Sequence, residues 1–406
     1  MKKRLVKILP ELNHIMTNTE DRYLMDGHKI VIFGAGRIGR SFIGQLFSRS
    51  GFEVVFVDIN KKLTDELSRL QQYKVVIKSD SADEVLIINN VRGVCLTDFD
   101  KVISELASAT IAALSVGQQG LPEALPIVAM ALIKRREQFG ERPLDFIIAE
   151  NMRNSDQYLL IELSKFLPQD YPQDRLVGLV ETSIGKMVPI MTHKDFEEDP
   201  LQVFAEPYNT LIVAKRGFKN AIPEVHNLAP KENIKAWVDR KLFIHNLGHA
   251  TVAYLGFRKY PQAINIYEVL EDPEILETTR RTMLQSASIL MALYPEEFTT
   301  SQLTDHIDDL IHRFSNKALG DTIFRVGCDL YRKLSPEDRL VAPVKAAMNL
   351  NLPYDLIYNS LLAAIAFRAS NEQGEYLPSD LNFFSESLFG INHILRNICR
   401  LDLPVL

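Results

Sequence analysis

The sequence predicts an α/β protein in which a Rossmann-type, doubly wound sheet is followed by a mostly α-helical C-terminal domain. Three observations carry this prediction. The run "KIVIF" at 29–33 is β-branched and apolar and stops at a glycine, glycines at fixed spacing follow it, and long helical periodicity begins near residue 232. We expect an N-terminal extension at 1–28, a sheet domain at 29–215 and a helical domain at 216–406.

The elements alternate along the first half of the chain. Buried strands are predicted in "KIVIF", "FEVVFVDIN" (52–60), "TIAALSVG" (110–117) and "LDFIIAENM" (144–152). Helices are predicted in "RSFIGQLFSR" (40–49) and "LPEALPIVAMALIKRREQ" (121–138), and strand-like runs continue to about residue 215. Such alternation is typical of βαβ units with a parallel sheet.

The second half has a different pattern. Segments such as "NIKAWVDRKLFIHNLGHATVAYLGF" (233–257) and "YDLIYNSLLAAIAFRAS" (354–370) carry apolar residues at helical spacing. They predict a domain of packed helices.

Composition excludes several functional classes. A formal net charge of -6 and a pI of about 5.9 argue against nucleic-acid and anionic-membrane partners. No run of 18 apolar residues predicts a membrane span, and polar residues interrupt the basic N-terminus where a signal peptide would need an apolar core. The three cysteines lack metal-site spacing and indicate reduced thiols. We expect a cytoplasmic protein, monomeric or weakly dimeric.

A glycine fingerprint follows the first strand. Gly34, Gly36 and Gly39 form G-x-G-x-x-G, in which the first glycine permits a tight turn, the second allows a pyrophosphate to approach and the third allows close helix packing. The loop and the helix start that would cradle the anion comprise Gly34, Ala35, Gly36, Arg37, Ile38 and Gly39, with Arg37 able to pair with the pyrophosphate.

The second strand ends on an acid, Asp58, 24 residues after Gly34. Its carboxylate can bind a ribose diol and would repel a 2'-phosphate, which favours NAD over NADP. Lys61 and Lys62 leave NADP as an alternative. Ser115 and Gly117, at the end of a later strand, are expected beside the same crevice.

The segment "RKLFIHNLGHA" (240–250) suggests a second site. On an α-helix turning 100° per residue, Lys241, His249 and Asn246 face one cleft. A lysine with a lowered pKa can take the proton of an alcohol while hydride leaves the carbon, and an asparagine can stabilise the alkoxide.

A metal site is the alternative for this segment. His245 and His249 are one turn apart, but the position after His245 is Asn246 where a zinc-protease helix has a glutamate base, and no third ligand motif is visible. We therefore expect no metal.

The motifs "FGAGRIGRSFIG", "AENM" (149–152), "RKLFIHNLGHATVAYLG" and "RVGCDLYRKLSPEDRL" (325–340) occur in an order that resembles the polyol-specific long-chain dehydrogenases, in particular the branch acting on mannitol 1-phosphate. The resemblance covers about residues 29–370. It implies Lys241 as acid/base, Asn151 and Asn246 as oxyanion donors, His249 as a substrate-orienting residue and no metal. It also implies that Arg325, Arg332 and Lys333 line the substrate end, where basic groups suit a sugar phosphate.

The implied activity is NAD-dependent interconversion of mannitol 1-phosphate and fructose 6-phosphate, or of a close pair. Two departures affect the expected polyol pocket: Gly185 and Lys186 replace an aspartate and an arginine of the family pattern, and Cys328 replaces an arginine. A uronate or unphosphorylated hexitol dehydrogenase therefore remains an alternative, as does a catalytically silent NAD-binding sensor.

Overall fold

The structure, a computed structural model, describes residues 28–79 and 82–401. The expected N-terminal extension lies outside these residues except for His28. Eleven strands are present in the described part: β1 Lys29–Phe33, β2 Glu53–Asp58, β3 Gln72–Ile77, β4 Glu84–Asn89, β5 Val91–Cys95, β6 Ile111–Leu114, β7 Leu144–Ile148, β8 Val177–Ser183, β9 Val203–Ala205, β10 Leu211–Ala214 and β11 Leu228–Lys231.

The main sheet has eight strands in the order β5-β2-β1-β6-β7-β8-β10-β11. The first six are parallel, whereas β10 runs antiparallel to β8 and pairs in parallel with β11. The chain moves outward from β1 through β2 to β5 and then returns to β6 on the other side of β1. The topological switch therefore lies between β1 and β6, where doubly wound sheets bind ligands.

A small second sheet has the order β4-β3-β9. Strands β3 and β4 pair antiparallel and are inserted between β2 and β5, and β9 pairs in parallel with β3. The sheet covers one face of the main sheet, and its residues Tyr73, Val75 and Val203 are buried in the same apolar cluster as β1 and β2.

Helices cover both faces of the main sheet. A π-helical turn at Gly39–Gly44 leads directly into α1, and one 3-10 turn lies at Lys215–Gly217. The α-helices of this half are α1 Gln45–Arg49, α2 Lys61–Leu70, α3 Phe99–Ala107, α4 Leu121–Phe139, α5 Ser155–Ser164, α6 Gln173–Leu176 and α7 His193–Glu198.

The second half is helical, and a π-helical turn at Lys241–Asn246 joins its first two helices. A 3-10 turn lies at Lys317–Leu319. The α-helices are α8 Ile234–Arg240, α9 Leu247–Lys259, α10 Ile266–Leu270, α11 Pro273–Leu293, α12 Thr300–Phe314, α13 Ile323–Gly327, α14 Leu330–Lys333, α15 Val341–Leu350, α16 Asp355–Ile365, α17 Pro378–Ser387 and α18 Ile391–Asn397.

Helix α9 is the centre of the second core. It buries residues all round its circumference, including Val252, Tyr254 and Leu255, because α10, α11, α13 and α16 all pack against it. The predicted fold class is confirmed. The last strand, β11, lies beyond the boundary predicted at residue 215, so the sheet ends just before α8.

No helix in residues 28–79 or 82–401 is both long enough and apolar enough to cross a membrane.

Candidate functional site

The glycine turn after β1 is tightly packed at its first and third glycines. Gly34 has φ +97°, and a Cβ atom there would lie 2.1 Å from the carbonyl oxygen of Ser115. A Cβ atom on Gly39 would lie 2.0 Å from the carbonyl oxygen of Gly34. Both positions therefore require glycine for reasons internal to the fold.

Packing within the protein does not explain why the second position of the turn is a glycine. No heavy atom lies within 4 Å of a Cβ built on Gly36, and its neighbour Arg37 is exposed. Ile38 is half-buried at the start of the following π-helical turn. The open space above Gly36 allows the pyrophosphate of a dinucleotide to approach the backbone.

Asp58 fixes the glycine turn to the end of β2. One oxygen of its carboxylate accepts the N–H of Ala35 at 2.8 Å and the other accepts the N–H of Asn60 at 2.9 Å. Each carboxylate oxygen retains a lone pair for a further donor. The acid thus stands beside the fingerprint in the position where a ribose diol would bind.

The turn after β6 lies on the other side of the crevice, and a buried glutamate holds it. Glu150 accepts the backbone N–H groups of Val116 and Gly117, each at 2.9 Å, and it lies just after β7. Burial raises the pKa of Glu150 to about 7, although these two hydrogen bonds act in the opposite direction. The sequence analysis did not select Glu150, even though it is part of the "AENM" segment.

The helix carrying the second motif differs from the expected α-helix. Lys241–Asn246 forms a π-helical turn, with i to i+5 hydrogen bonding. The α-helical geometry assumed from the sequence separates Lys241 and Asn246 by about 140° around the axis, and that local geometry was wrong. In the π-helical turn, residues five apart lie on the same face, so both side chains reach one cavity.

A hydrogen bond joins the two predicted catalytic segments. The Nζ atom of Lys241 donates to Oδ1 of Asn151 at 2.7 Å. Because an ammonium group only donates, Asn151 must present its oxygen to the lysine, which leaves its Nδ2 group free to donate elsewhere. Asn151 follows β7, so this bond connects the sheet domain to the helical domain.

The surroundings of Lys241 make its ammonium group easier to deprotonate than that of a free lysine. Burial lowers its pKa to about 8, and the positive charge of Arg339 contributes in the same direction. The amine can therefore take up and release a proton near neutral pH, as a general acid/base requires.

The cavity around Lys241 has a volume of about 260 Å³. It is lined by residues after β7, by the end of β8, by α8 and the π-helical turn, and by α14 with the segment that follows it. Of the predicted site residues, the structure brings Lys241, Asn246, Asn151 and Arg332 together here.

His249 does not line this cavity. Its ring stacks on Phe314 with a centroid distance of 4.6 Å, and its Nε2 atom lies 3.2 Å from the carboxylate of Asp321, too poorly aligned for a hydrogen bond. Burial lowers the pKa of His249, and the charge of Arg325 adds to the effect. His245 is buried against the same phenylalanine.

Two of the three predicted substrate cations also lie elsewhere. Arg325 pairs with Asp321 and is half-exposed. Partial burial lowers its pKa, and the positive charge of Arg37 in the glycine turn acts in the same direction. Lys333 is buried, and its Nζ atom donates to the carbonyl of Val326 at 2.6 Å. Burial lowers the pKa of Lys333 to about 7.

The cavity contains charged residues that the sequence analysis did not select. Arg153 and Arg339 line it together with Arg332. Arg339 is part of the segment "RVGCDLYRKLSPEDRL" that carries the family resemblance, but its place in the cavity could not be predicted from the sequence.

The positions that depart from the family pattern lie outside this cavity. Lys186 is buried, and its Nζ atom donates to the carbonyls of Glu206 and Tyr208. The carbonyl of Gly185 accepts from Arg313 at 2.6 Å. The thiol of Cys328 is near the carbonyl of Arg325, at 3.6 Å.

No group of three or more histidine, cysteine, aspartate or glutamate side chains is arranged to hold a metal ion within the ranges 28–79 and 82–401.

Comparison with known proteins identifies the family. The model of the mannitol dehydrogenase Rossmann domain matches residues 28–227, and that of the mannitol dehydrogenase C-terminal domain matches residues 233–387. Among solved structures, mannitol 2-dehydrogenase from Pseudomonas fluorescens, in a ternary complex with NAD and D-mannitol, aligns with TM-score 0.71 and 17% identity over 92% of this chain and 89% of that chain. A D-sorbitol dehydrogenase in substrate-free form aligns with TM-score 0.72 and 18% identity, over 87% and 84%. The chain belongs to the mannitol dehydrogenase family.

Proposed function

We propose that this protein is an NAD-dependent oxidoreductase that interconverts a polyol phosphate and a ketose phosphate, with mannitol 1-phosphate and fructose 6-phosphate as the preferred pair. The observation that carries the proposal is the 2.7 Å hydrogen bond between Lys241 and Asn151, in a cavity formed where the two domains meet.

The cofactor assignment is supported by the fit of the crevice. Gly36 leaves the backbone accessible, and Asp58 supplies a carboxylate at the end of β2. A carboxylate at this position accepts the two hydroxyls of a ribose and repels a 2'-phosphate, which favours NAD over NADP. The Pseudomonas fluorescens structure with NAD supports the same choice.

The residues of the cavity have complementary roles in the mechanism. Bound NAD+ supplies a hydride acceptor for the alcohol carbon. Lys241, in its uncharged form, takes the hydroxyl proton, and the Nδ2 groups of Asn151 and Asn246 donate to the oxygen as negative charge develops on it. In the reverse direction the Lys241 ammonium returns the proton to the ketose oxygen.

His249 is given an indirect role in this proposal. It lies on α9 three residues after Asn246, and its ring stacks on Phe314. It would therefore maintain the position of Asn246 on the preceding turn and would orient the substrate only through that residue.

The test is reduction of fructose 6-phosphate with NADH by the wild-type protein and by Lys241→Ala. We expect the variant to lose at least about a hundredfold in kcat, because general acid/base catalysis contributes roughly that much or more. Lys235→Ala is the matched control, since Lys235 is exposed on α8 in the same helical segment. Equal rates for wild type and Lys241→Ala would contradict the proposed role of the lysine.

A second candidate is an unphosphorylated hexitol dehydrogenase. The two solved structures compared above, which have a similar fold, are a mannitol 2-dehydrogenase and a D-sorbitol dehydrogenase. A higher kcat/KM for D-mannitol or D-sorbitol than for mannitol 1-phosphate would favour this candidate, whereas tight NADH binding with no turnover of either class would favour a silent sensor.

A further inference from the structure

Three arginines line the cavity within the described residues, and all three donate to protein acceptors, but they differ in which nitrogens do so. Arg153 pairs with Asp239 through Nη2 and donates to the carbonyl of Glu337 through Nη1 at 3.4 Å. Asp239 and Glu337 belong to the helical domain, so Arg153 links the two domains and these contacts explain its position.

Arg332 is held between two aspartates. Its Nε atom pairs with Asp329, and its Nη1 atom lies 3.3 Å from the carboxylate of Asp338. The two aspartates therefore fix the orientation of the Arg332 guanidinium, and Arg332 lines the cavity.

Arg339 is different. Its side chain is only 11% exposed, and its Nε atom donates to Asp338 at 2.8 Å. Within the part of the chain that the structure describes, Nη1 and Nη2 donate no hydrogen bond to a protein acceptor. A guanidinium has five N–H donors, so four of them remain without a protein partner on a largely buried side chain. Neither terminal nitrogen is fully buried, and Arg339 lines the cavity, so these donors are accessible to a bound anion.

We propose that Arg339 binds the phosphoryl group of the substrate through its two terminal nitrogens, and that Asp338 fixes its orientation with Arg332 alongside. This inference rests on the proposed function and adds to it the residue that selects phosphorylated substrates. The paired N–H groups of a guanidinium match two oxygens of a phosphate.

The position of Arg339 agrees with the shape of the substrate. In fructose 6-phosphate the carbonyl and the phosphate are near opposite ends of the chain. Lys241 and Asn246 are on the π-helical turn, whereas Arg332 is on α14 and Arg339 is on the segment after it, and all four line the same cavity. A substrate that spans the cavity can therefore place its reacting carbon at the lysine and its phosphate at the arginines.

The test measures the ratio of kcat/KM for fructose 6-phosphate to kcat/KM for fructose. We expect Arg339→Gln to lower this ratio at least about tenfold, since a hydrogen bond to a charged group is worth roughly that factor or more. Arg339→Lys keeps the charge but loses the paired donors, and we expect an intermediate ratio. Arg281→Gln, at an exposed position on α11, is the matched control and should keep the wild-type ratio.

The possible outcomes separate the two proposals. A wild-type protein that prefers fructose, or a hexuronate, to fructose 6-phosphate contradicts the phosphate part of the proposed function. A wild-type protein that prefers fructose 6-phosphate, with the same ratio in both Arg339 variants, overturns the inference about Arg339 alone. If Arg339→Gln does not fold, Arg339→Lys decides: an unchanged ratio overturns the inference, and a reduced ratio supports it.

Discussion

The contact between Lys241 and Asn151 is the residue-scale feature on which the proposed chemistry depends. Lys241 was predicted from its helical segment and from the family resemblance, whereas Asn151 was predicted from the resemblance alone. The sequence did not predict that Asn151 would accept from the lysine, since hydrogen-bond partners 90 residues apart depend on how the domains pack. The positions of His249 and Lys333 were unpredictable for the same reason.

The pKa of Lys241 predicts how the two reaction directions depend on pH. Polyol oxidation needs the uncharged amine, so we expect its kcat/KM to rise with pH and level off above about 8. Ketose reduction needs the ammonium group, so its kcat/KM should be constant at lower pH and fall above about 8. Initial rates in both directions between pH 6 and 10 check this. An oxidation rate that stays flat through pH 8 would assign the proton transfer to another group.

At the scale of elements, the strands were easier to predict than the helical turns. Strands β1, β2, β6 and β7 are apolar runs that end in glycine or polar residues, and they lie where such runs predict. The π-helical turn at Lys241–Asn246 was not predicted, because its residues show ordinary helical periodicity and no local signal indicates i to i+5 bonding. The β3–β4 insertion, in contrast, contains two short runs rich in β-branched and apolar residues, "QYKVVI" and "EVLIIN", and could have been found.

The glycine turn gives an element-scale prediction in which two substitutions of the same size have different effects. Gly36→Ala meets no neighbouring atom, so the free energy of unfolding should change by no more than about 0.5 kcal/mol while the Kd for NADH rises. Gly39→Ala places a methyl group against the backbone of Gly34, so it should lower the free energy of unfolding by about 1–3 kcal/mol or more.

Urea unfolding and NADH fluorescence titration measure the two effects of these glycine variants separately. Unchanged NADH affinity in Gly36→Ala would mean that the open space over this glycine is not where the dinucleotide binds.

At the scale of the whole molecule, a buried ion pair joins the two domains. Arg313 on α12 donates to both carboxylate oxygens of Glu206, at 2.8 and 2.6 Å, and both side chains are buried. This pair could not be predicted from the sequence, because its members are 107 residues apart and neither is part of a motif.

This pair predicts a large change in stability. Arg313→Met leaves the Glu206 carboxylate buried without its main partner, and we expect a loss of about 3–5 kcal/mol in the free energy of unfolding. Arg280→Met is the matched control, because Arg280 makes the same type of pair with Asp308 at the surface and should lose less than about 1 kcal/mol. Denaturant unfolding of both variants gives the comparison, and similar losses would show that the domains are held together by other contacts.

The bond from Lys241 to Asn151 has a consequence for how this enzyme architecture can be recombined. The amine comes from the segment after β11 and the amide from the segment after β7, so the proposed reaction centre exists only in the joined chain. A chimaera that combined this helical half with a foreign Rossmann half would lack the acceptor that orients the Lys241 amine, unless the foreign half supplied an asparagine at the position of Asn151. The sheet half could then be exchanged only for one that has an asparagine at the position of Asn151.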